Sequence, residues 1–160
     1  MISAESQKGF KIVDEVGNST VIMIKKGPDG DETIRCEFEA YNRPRDDDES
    51  AIIMLFDIIA KQRRNSGSLV FTCTPEPIPT FLSVRFVPSG MDHLDQTIFD
   101  GPGSDKMPTE INAGLFSYLE SVGIDEQVFA FIKDYSLRKY EREALEGVNF
   151  TSSFFATISP

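Results

Sequence analysis

Asp100-Gly101-Pro102-Gly103 is where the chain changes character, and the fold class turns on what lies either side of it. On the C-terminal side, Ile111, Leu115, Leu119 and Val122 recur at intervals of three and four, the period of one helix face. Pro108 and Thr109 supply a start signal, and Gly123 a C-cap. Asp125-Glu126 open a second helix, with acids where the helix dipole favours negative charge. Val128, Ile132 and Tyr135 form one stripe on it, and Leu137, Tyr140, Ala144 and Val148 continue on a rotated one. Gly147 is expected to bend or interrupt this helix ahead of Phe150, Phe154 and Phe155.

On the N-terminal side the period is two. Thr33 to Ala40 alternates, with Ile34, Cys36, Phe38 and Ala40 on one face and Thr33, Arg35, Glu37 and Glu39 on the other. That is a half-buried antiparallel strand. Gly9 to Val16 and Thr20 to Lys26 precede it, joined by a turn at Gly17-Asn18, and Gly27-Pro28-Asp29-Gly30 turns into it. Ala51 to Ala60 is apolar at nearly every position and rich in β-branched residues, which favours a strand. A hairpin link through Arg63-Arg64-Asn65-Ser66-Gly67 leads to Leu69 to Thr74, which Pro75, Pro77 and Pro79 end. Phe81, Ser83, Arg85 and Val87 alternate with Leu82, Val84 and Phe86, and Leu94 to Phe99 is expected to form a last strand. About seven consecutive strands with short links, then two C-terminal helices, is α+β with a twisted antiparallel sheet. Ile52 to Ile59 is apolar on both pleat faces. The helices can cover one, and the other calls for a missing segment or another subunit, oligomerisation being the economical reading.

The composition excludes several functions. The 160 residues carry 16 Lys+Arg and 26 Asp+Glu, a net charge of −10, which repels phosphate and argues against strong direct binding of nucleic acid. No apolar run reaches membrane-spanning length. Two cysteines, Cys36 and Cys73, are too few for a disulfide scaffold and read as buried packing residues. There is no phosphate loop, dinucleotide fingerprint, HExxH or CxxC, and the single histidine leaves little room for catalysis, a cofactor or a metal. His93, between Asp92 and Asp95, reads as a solvated loop residue. A convergent pocket holding it against a carboxylate would instead favour an enzyme.

Asn42 to Ser50 reads as a solvated loop, and its run Asp46, Asp47, Asp48 and Glu49 is the expected contact for a basic partner. Arg63-Arg64 reads as a solubilising hairpin tip, and the sequons at Asn18 and Asn149 as coincidences. Phe129, Phe131, Phe150, Phe154 and Phe155 are expected in core and subunit packing. A lipid cavity between helix and sheet is the alternative for these aromatics. Met1 to Gly9 has no apolar core and no arginine, so residues 1–9 read as an N-terminal remnant before a single domain over 10–160.

Gly17-Asn18-Ser19-Thr20, Val21 to Lys26 and Glu32 to Asn42 resemble the first hairpin of the mitochondrial glycoprotein family. These are acidic matrix proteins whose animal member is also described as a receptor for complement globular heads. Leu69 to Cys73 and Phe81 to Phe86 resemble its later strands. Leu115 to Leu119, Gly123-Ile124-Asp125, Phe129, Lys139-Tyr140-Glu141 and Phe154 resemble its C-terminal helices. The resemblance implies a ring-shaped homotrimer in the mitochondrial matrix without catalytic residues. It also implies a multifunctional binding protein of mitochondrial RNA processing or editing, ribosome function and translation, meeting RNA mainly through basic protein partners. The chain departs from the family pattern in two places. Met1 to Gly9 is too short for the family's N-terminal helix, and the acidic insert after the third strand is reduced to Arg45 through Ser50.

Overall fold

Alternation at Val21 and Met23, and at Ile34, Cys36 and Phe38, turns every second side chain of two neighbouring strands to the same side, where all five are buried. A computed structural model describes residues 9–27, 30–42, 54–62 and 67–158. Among them the strands are β1 (Lys11–Asp14), β2 (Thr20–Lys26), β3 (Glu32–Glu39), β4 (Phe56–Gln62), β5 (Gly67–Thr74) and β6 (Thr80–Pro88). They pair in chain order, each antiparallel to the next, as one meander. Two helices follow, α1 (Thr109–Ser121) and α2 (Glu126–Ile158). The α+β order of strands and then helices is the one the sequence predicts.

The inner face holds the core. Across the sheet Cys36, Ile58, Phe71 and Val84 stand in one row, and Val122, Ile124, Val128, Phe129 and Ile132 from the helical side pack into the same cluster. Phe56 meets Phe129 edge-on with ring centroids 5.2 Å apart, joining β4 to α2. Cys36 and Cys73 are buried and free, as expected, and burial pushes the Cys36 thiol up to about 12.

Helix α1 ends as the sequence predicts. Gly123 has a positive φ of 89°, Gly123 N–H donates to Glu120 O, and Ile124 N–H donates to Leu119 O at 2.8 Å. This is a Schellman motif, and Leu119 and Ile124, which it brings together through the backbone, are both buried in the core cluster. Asp125 Oδ1 then accepts from Val128 N–H at 3.1 Å and caps α2.

Four expectations need correction. Leu94 to Phe99 is not a strand. Asp92 Oδ1 accepts from Leu94 N–H, and Asp95 Oδ1 accepts from Thr97 N–H and hydroxyl, so side chains take the donors a ladder would need. The alternation in β6 breaks at a bulge opposite Thr72/Cys73, which puts Phe81 and Val84 on the same inner face and leaves Leu82 between them partly exposed. Gly147 does not interrupt α2, which runs unbroken over 33 residues, with Thr151 Oγ1 donating to Gly147 O at 2.8 Å. Finally, β4 begins at Phe56. Ile52 and Ile53 lie outside the described residues, as does the Arg63-Arg64 link.

The outer face, expected to need cover from outside the chain, is covered in part by the chain itself. The segment after β6 folds back over it: Arg85 Nη2 donates to the His93 carbonyl at 3.2 Å, and outward-facing Val70 and Val87 are buried. The segment's return also explains the glycines of residues 100–103. Ser83 bridges Gly103 and Val84 N–H points to Pro102 O, so this stretch lies along the free edge of β6. Gly101, at φ 76°, runs so close that a Cβ there would sit 1.8 Å from Val84 O.

Candidate functional site

The acidic run Asp46, Asp47, Asp48 and Glu49 lies outside the described residues. Three other places concentrate chemistry or exposed apolar surface.

The first is the outer sheet face. Glu37 on β3, Asp57 on β4 and Thr72 on β5 are register partners in one row. Arg85 on β6 reaches into it, with Nη1 donating to Thr72 Oγ1 and Nη2 to Asp57 Oδ2, both at 3.3 Å. Thr72 Oγ1 in turn donates to Asp57 Oδ1 at 3.1 Å. His93 Nε2 lies 2.7 Å from Glu37 Oε2, and its Nδ1 lies 3.5 Å from Asp92 Oδ1. The solvated loop histidine expected from sequence is therefore a half-buried one held against a carboxylate. Glu37 is 56 positions away, a separation that no local pattern reveals. The contact between His93 Nε2 and Glu37 joins the segment of residues 91–100 to the sheet. No serine, cysteine or threonine hydrogen-bonds to it among the described residues. No group of three His, Cys, Asp or Glu able to hold a metal occurs among the described residues.

The second is an ionic clamp between β1 and α2. Lys139 is buried, and its ammonium donates to Asp14 Oδ1 at 2.7 Å, Glu143 Oε1 at 2.6 Å and Glu15 O at 2.9 Å. Tyr135 hydroxyl and Arg142 also donate to Asp14, and Gly17 N–H donates to Glu143 Oε2 at 2.8 Å. Burial raises the Asp14 carboxyl, but the bonds from Lys139, Tyr135 and Arg142 outweigh it and hold Asp14 at about 2. The clamp fixes where α2 crosses the sheet edge. Sequence reasoning missed it, because a lysine flanked by charges on a helix reads as a surface residue.

The third is apolar. Between the end of β4–β6 and α1 lies a cleft of about 490 Å³, lined by Ala60, Leu69, Phe86, Leu115 and Tyr118 with Gln62 at its polar side. Beyond the clamp, α2 presents Leu145, Val148, Phe150, Phe154, Phe155 and Ile158, all exposed. Of the C-terminal aromatics expected in packing, Phe129 is in the core and Phe131 packs against it. Phe150, Phe154 and Phe155 are exposed, at 73%, 55% and 61%, and none of them is among the residues of the core cluster. No helix among the described residues is long and apolar enough to cross a membrane.

Comparisons with known proteins agree with this fold. The chain is similar to the Trypanosoma brucei p22 protein at 20% identity, with a TM-score of 0.76 over 92% of this chain and 82% of that one. It is also similar to a Leishmania major protein of unknown function described as a sequence homologue of human p32. There the identity is 19% and the TM-score 0.69, over 86% of this chain and 79% of that one. At such identities the likeness establishes the fold alone. No curated protein matches the chain. The model of the family described as "Mitochondrial glycoprotein" matches residues 42–146, well over half the chain. That description implies a mitochondrial location. On the strength of this match, and in keeping with its meander and two terminal helices, the chain belongs to the mitochondrial glycoprotein family.

Proposed function

We propose that the chain is a non-enzymatic acidic binding protein of the mitochondrial matrix. It acts in mitochondrial RNA metabolism, in RNA processing or editing, ribosome function or translation, by holding basic protein partners. Family membership supports the setting, and the observation that carries the reading is the net charge of −10. Opposite charge speeds the encounter with a basic protein and is screened by salt over about 8 Å at physiological ionic strength. RNA is reached mainly through those partners. The proposed contact includes Asp46, Asp47, Asp48 and Glu49, the densest acidic run of the chain. The working unit is a homotrimer. The exposed apolar residues of α2 from Leu145 to Ile158 support assembly, because a monomer seldom leaves so long an apolar stripe in water. The test is a pull-down from mitochondrial extract at low and high salt, read by mass spectrometry. The expected captures are basic RNA-binding or ribosomal proteins lost at high salt; a salt-resistant or acidic set of partners overturns the reading.

The apolar cleft between sheet and α1 supports a second reading, a carrier of a small apolar ligand. Native mass spectrometry of the purified protein, finding a bound apolar molecule, would favour it.

A further inference from the structure

We infer that the cleft between the sheet end and α1 seats a basic peptide of a partner protein, a large apolar side chain lying on Leu69, Phe86 and Leu115 and a neighbouring lysine or arginine on Glu32. The inference rests on the reading of the chain as a binder of basic proteins and gives those proteins a seat.

The floor of the cleft is a continuation of the core. Ile34, Ala60, Leu69 and Phe86 are successive partners in one inner-face row from β3 to β6. The first two are buried at 0% and 6%, whereas Leu69 is 37% and Phe86 56% exposed. Residues of core type at core positions thus run out from under the helices, and the cleft stands over them with Leu115 and Tyr118 as its wall. Its volume falls within the ~300–1,000 Å³ of ligand sites, ample for an aromatic or leucine side chain.

The polar side of the cleft sets the charge of the guest. Gln62 Nε2 donates to Glu32 Oε1 at 3.3 Å, and Tyr118 hydroxyl to Glu32 Oε2 at 3.5 Å. Both bonds are long, and an ionised carboxylate accepts about four. Among the described residues no lysine or arginine forms an ion pair with Glu32, although it is half-buried. Glu32 does not itself line the cleft but is bonded to two residues that do, Gln62 and Tyr118; a half-buried carboxylate with spare acceptors just behind the lining is complementary to an ammonium or guanidinium carried next to an apolar group. The net charge of −10 attracts the same guest from a distance.

The test is fluorescence anisotropy on the full chain with a labelled synthetic peptide alternating lysine with leucine and phenylalanine. A control peptide has serine at the apolar positions, and Nile red serves as a neutral apolar probe. Phe86→Ser and Leu115→Ser should each weaken the apolar–basic peptide by about fivefold or more. Glu32→Gln should weaken it about three- to tenfold and flatten its salt dependence, while leaving Nile red emission unchanged. The serine control should bind weakly and alike to every variant. Peptide binding that is salt-dependent but equal for wild type and all variants overturns the cleft as the seat and leaves the acidic-binder reading standing. Nile red bound with no peptide bound overturns the seat and counts against that reading too, leaving a small apolar ligand as the guest. Binding of neither probe overturns the seat. Thermal melts accompany each variant; if one serine variant fails to fold, the other carries the apolar arm and Glu32→Gln the charged one.

Discussion

Lys139 is the residue with most at stake, because its ammonium is out of water and needs every partner it has. Replacing Asp14 by Asn removes one of its two carboxylates and also leaves Arg142 and Tyr135 without their acceptor. We expect a loss of about 2–3 kcal/mol near neutral pH, less than the ~3–5 kcal/mol of a fully orphaned buried charge, since Glu143 and the Glu15 carbonyl remain. The sign of the pH dependence follows from Asp14 sitting at about 2 in the fold against an ordinary 3.8. A depressed carboxyl contributes stability above its unfolded value and loses it as pH falls through the folded one. Thermal melts of wild type and Asp14→Asn should therefore differ most above pH 4 and converge as pH drops toward 2; a gap that stays constant would mean the carboxylate charge is not what matters. His93 gives a second prediction. His93→Ala should free residues 91–100 from Glu37 and speed amide exchange there, with exchange in β2–β5 unchanged. Hydrogen exchange read by mass spectrometry decides it, and unchanged protection of 91–100 would show that Arg85 alone holds the segment. Neither contact is legible in the sequence, because each joins residues more than fifty positions apart and the local patterns around them are those of surface.

Helix α2 divides at Glu143. Up to there Val128, Phe129, Ile132, Ser136 and Lys139 are buried at helical spacing; from Ala144 to Ile158 every residue is exposed, about 22 Å of helix at 1.5 Å per residue. The first stripe, Val128-Ile132-Tyr135, could be read from periodicity because it faces this chain's own sheet. The rotated stripe beyond Tyr140 has the same periodicity without a surface of the chain to meet, so periodicity alone assigns its phenylalanines to packing that a single chain does not supply. The bulge in β6 was hidden for a related reason: strict alternation in the sequence looked regular, and only pairing with β5 forces Phe81 and Val84 to one face. Two truncations separate the roles of α2. Ending the chain before Asp125 strips Phe129 and Ile132 from the core, where losing one buried phenylalanine costs about 3–5 kcal/mol, and should abolish folding. Ending it after Glu143 should leave the circular dichroism of the sheet and the melting of the single chain largely intact while reducing self-association. Light scattering on both forms tests it: a full chain already at 17.9 kDa, or a shortened chain that still associates, would remove α2's exposed stripe from assembly.

For the molecule as a whole, charge and apolar surface are separable. The core, the clamp and the α2 stripe account for folding and packing, whereas much of the net charge of −10 lies outside them; a homotrimer would carry about three times that. Long-range attraction to a basic protein acts on the encounter more than on the docked complex, since association responds to the field of the whole molecule and dissociation to close contacts. Asp46, Asp47, Asp48 and Glu49 concentrate negative charge within four residues. Replacing all four by Asn or Gln lowers the net charge from −10 to −6 and should leave oligomeric state and melting temperature nearly unchanged, since the sequence reads as a solvated loop there and changes in such loops usually stay within ~0.5 kcal/mol each. The association rate with a basic partner should fall, and its salt dependence should flatten, while the dissociation rate changes less. Stopped-flow mixing at two salt concentrations reads both. An unaltered association rate would move the contact to another surface, such as the cleft beside Glu32, and salt-independent binding throughout would mean that charge does not bring the partners together.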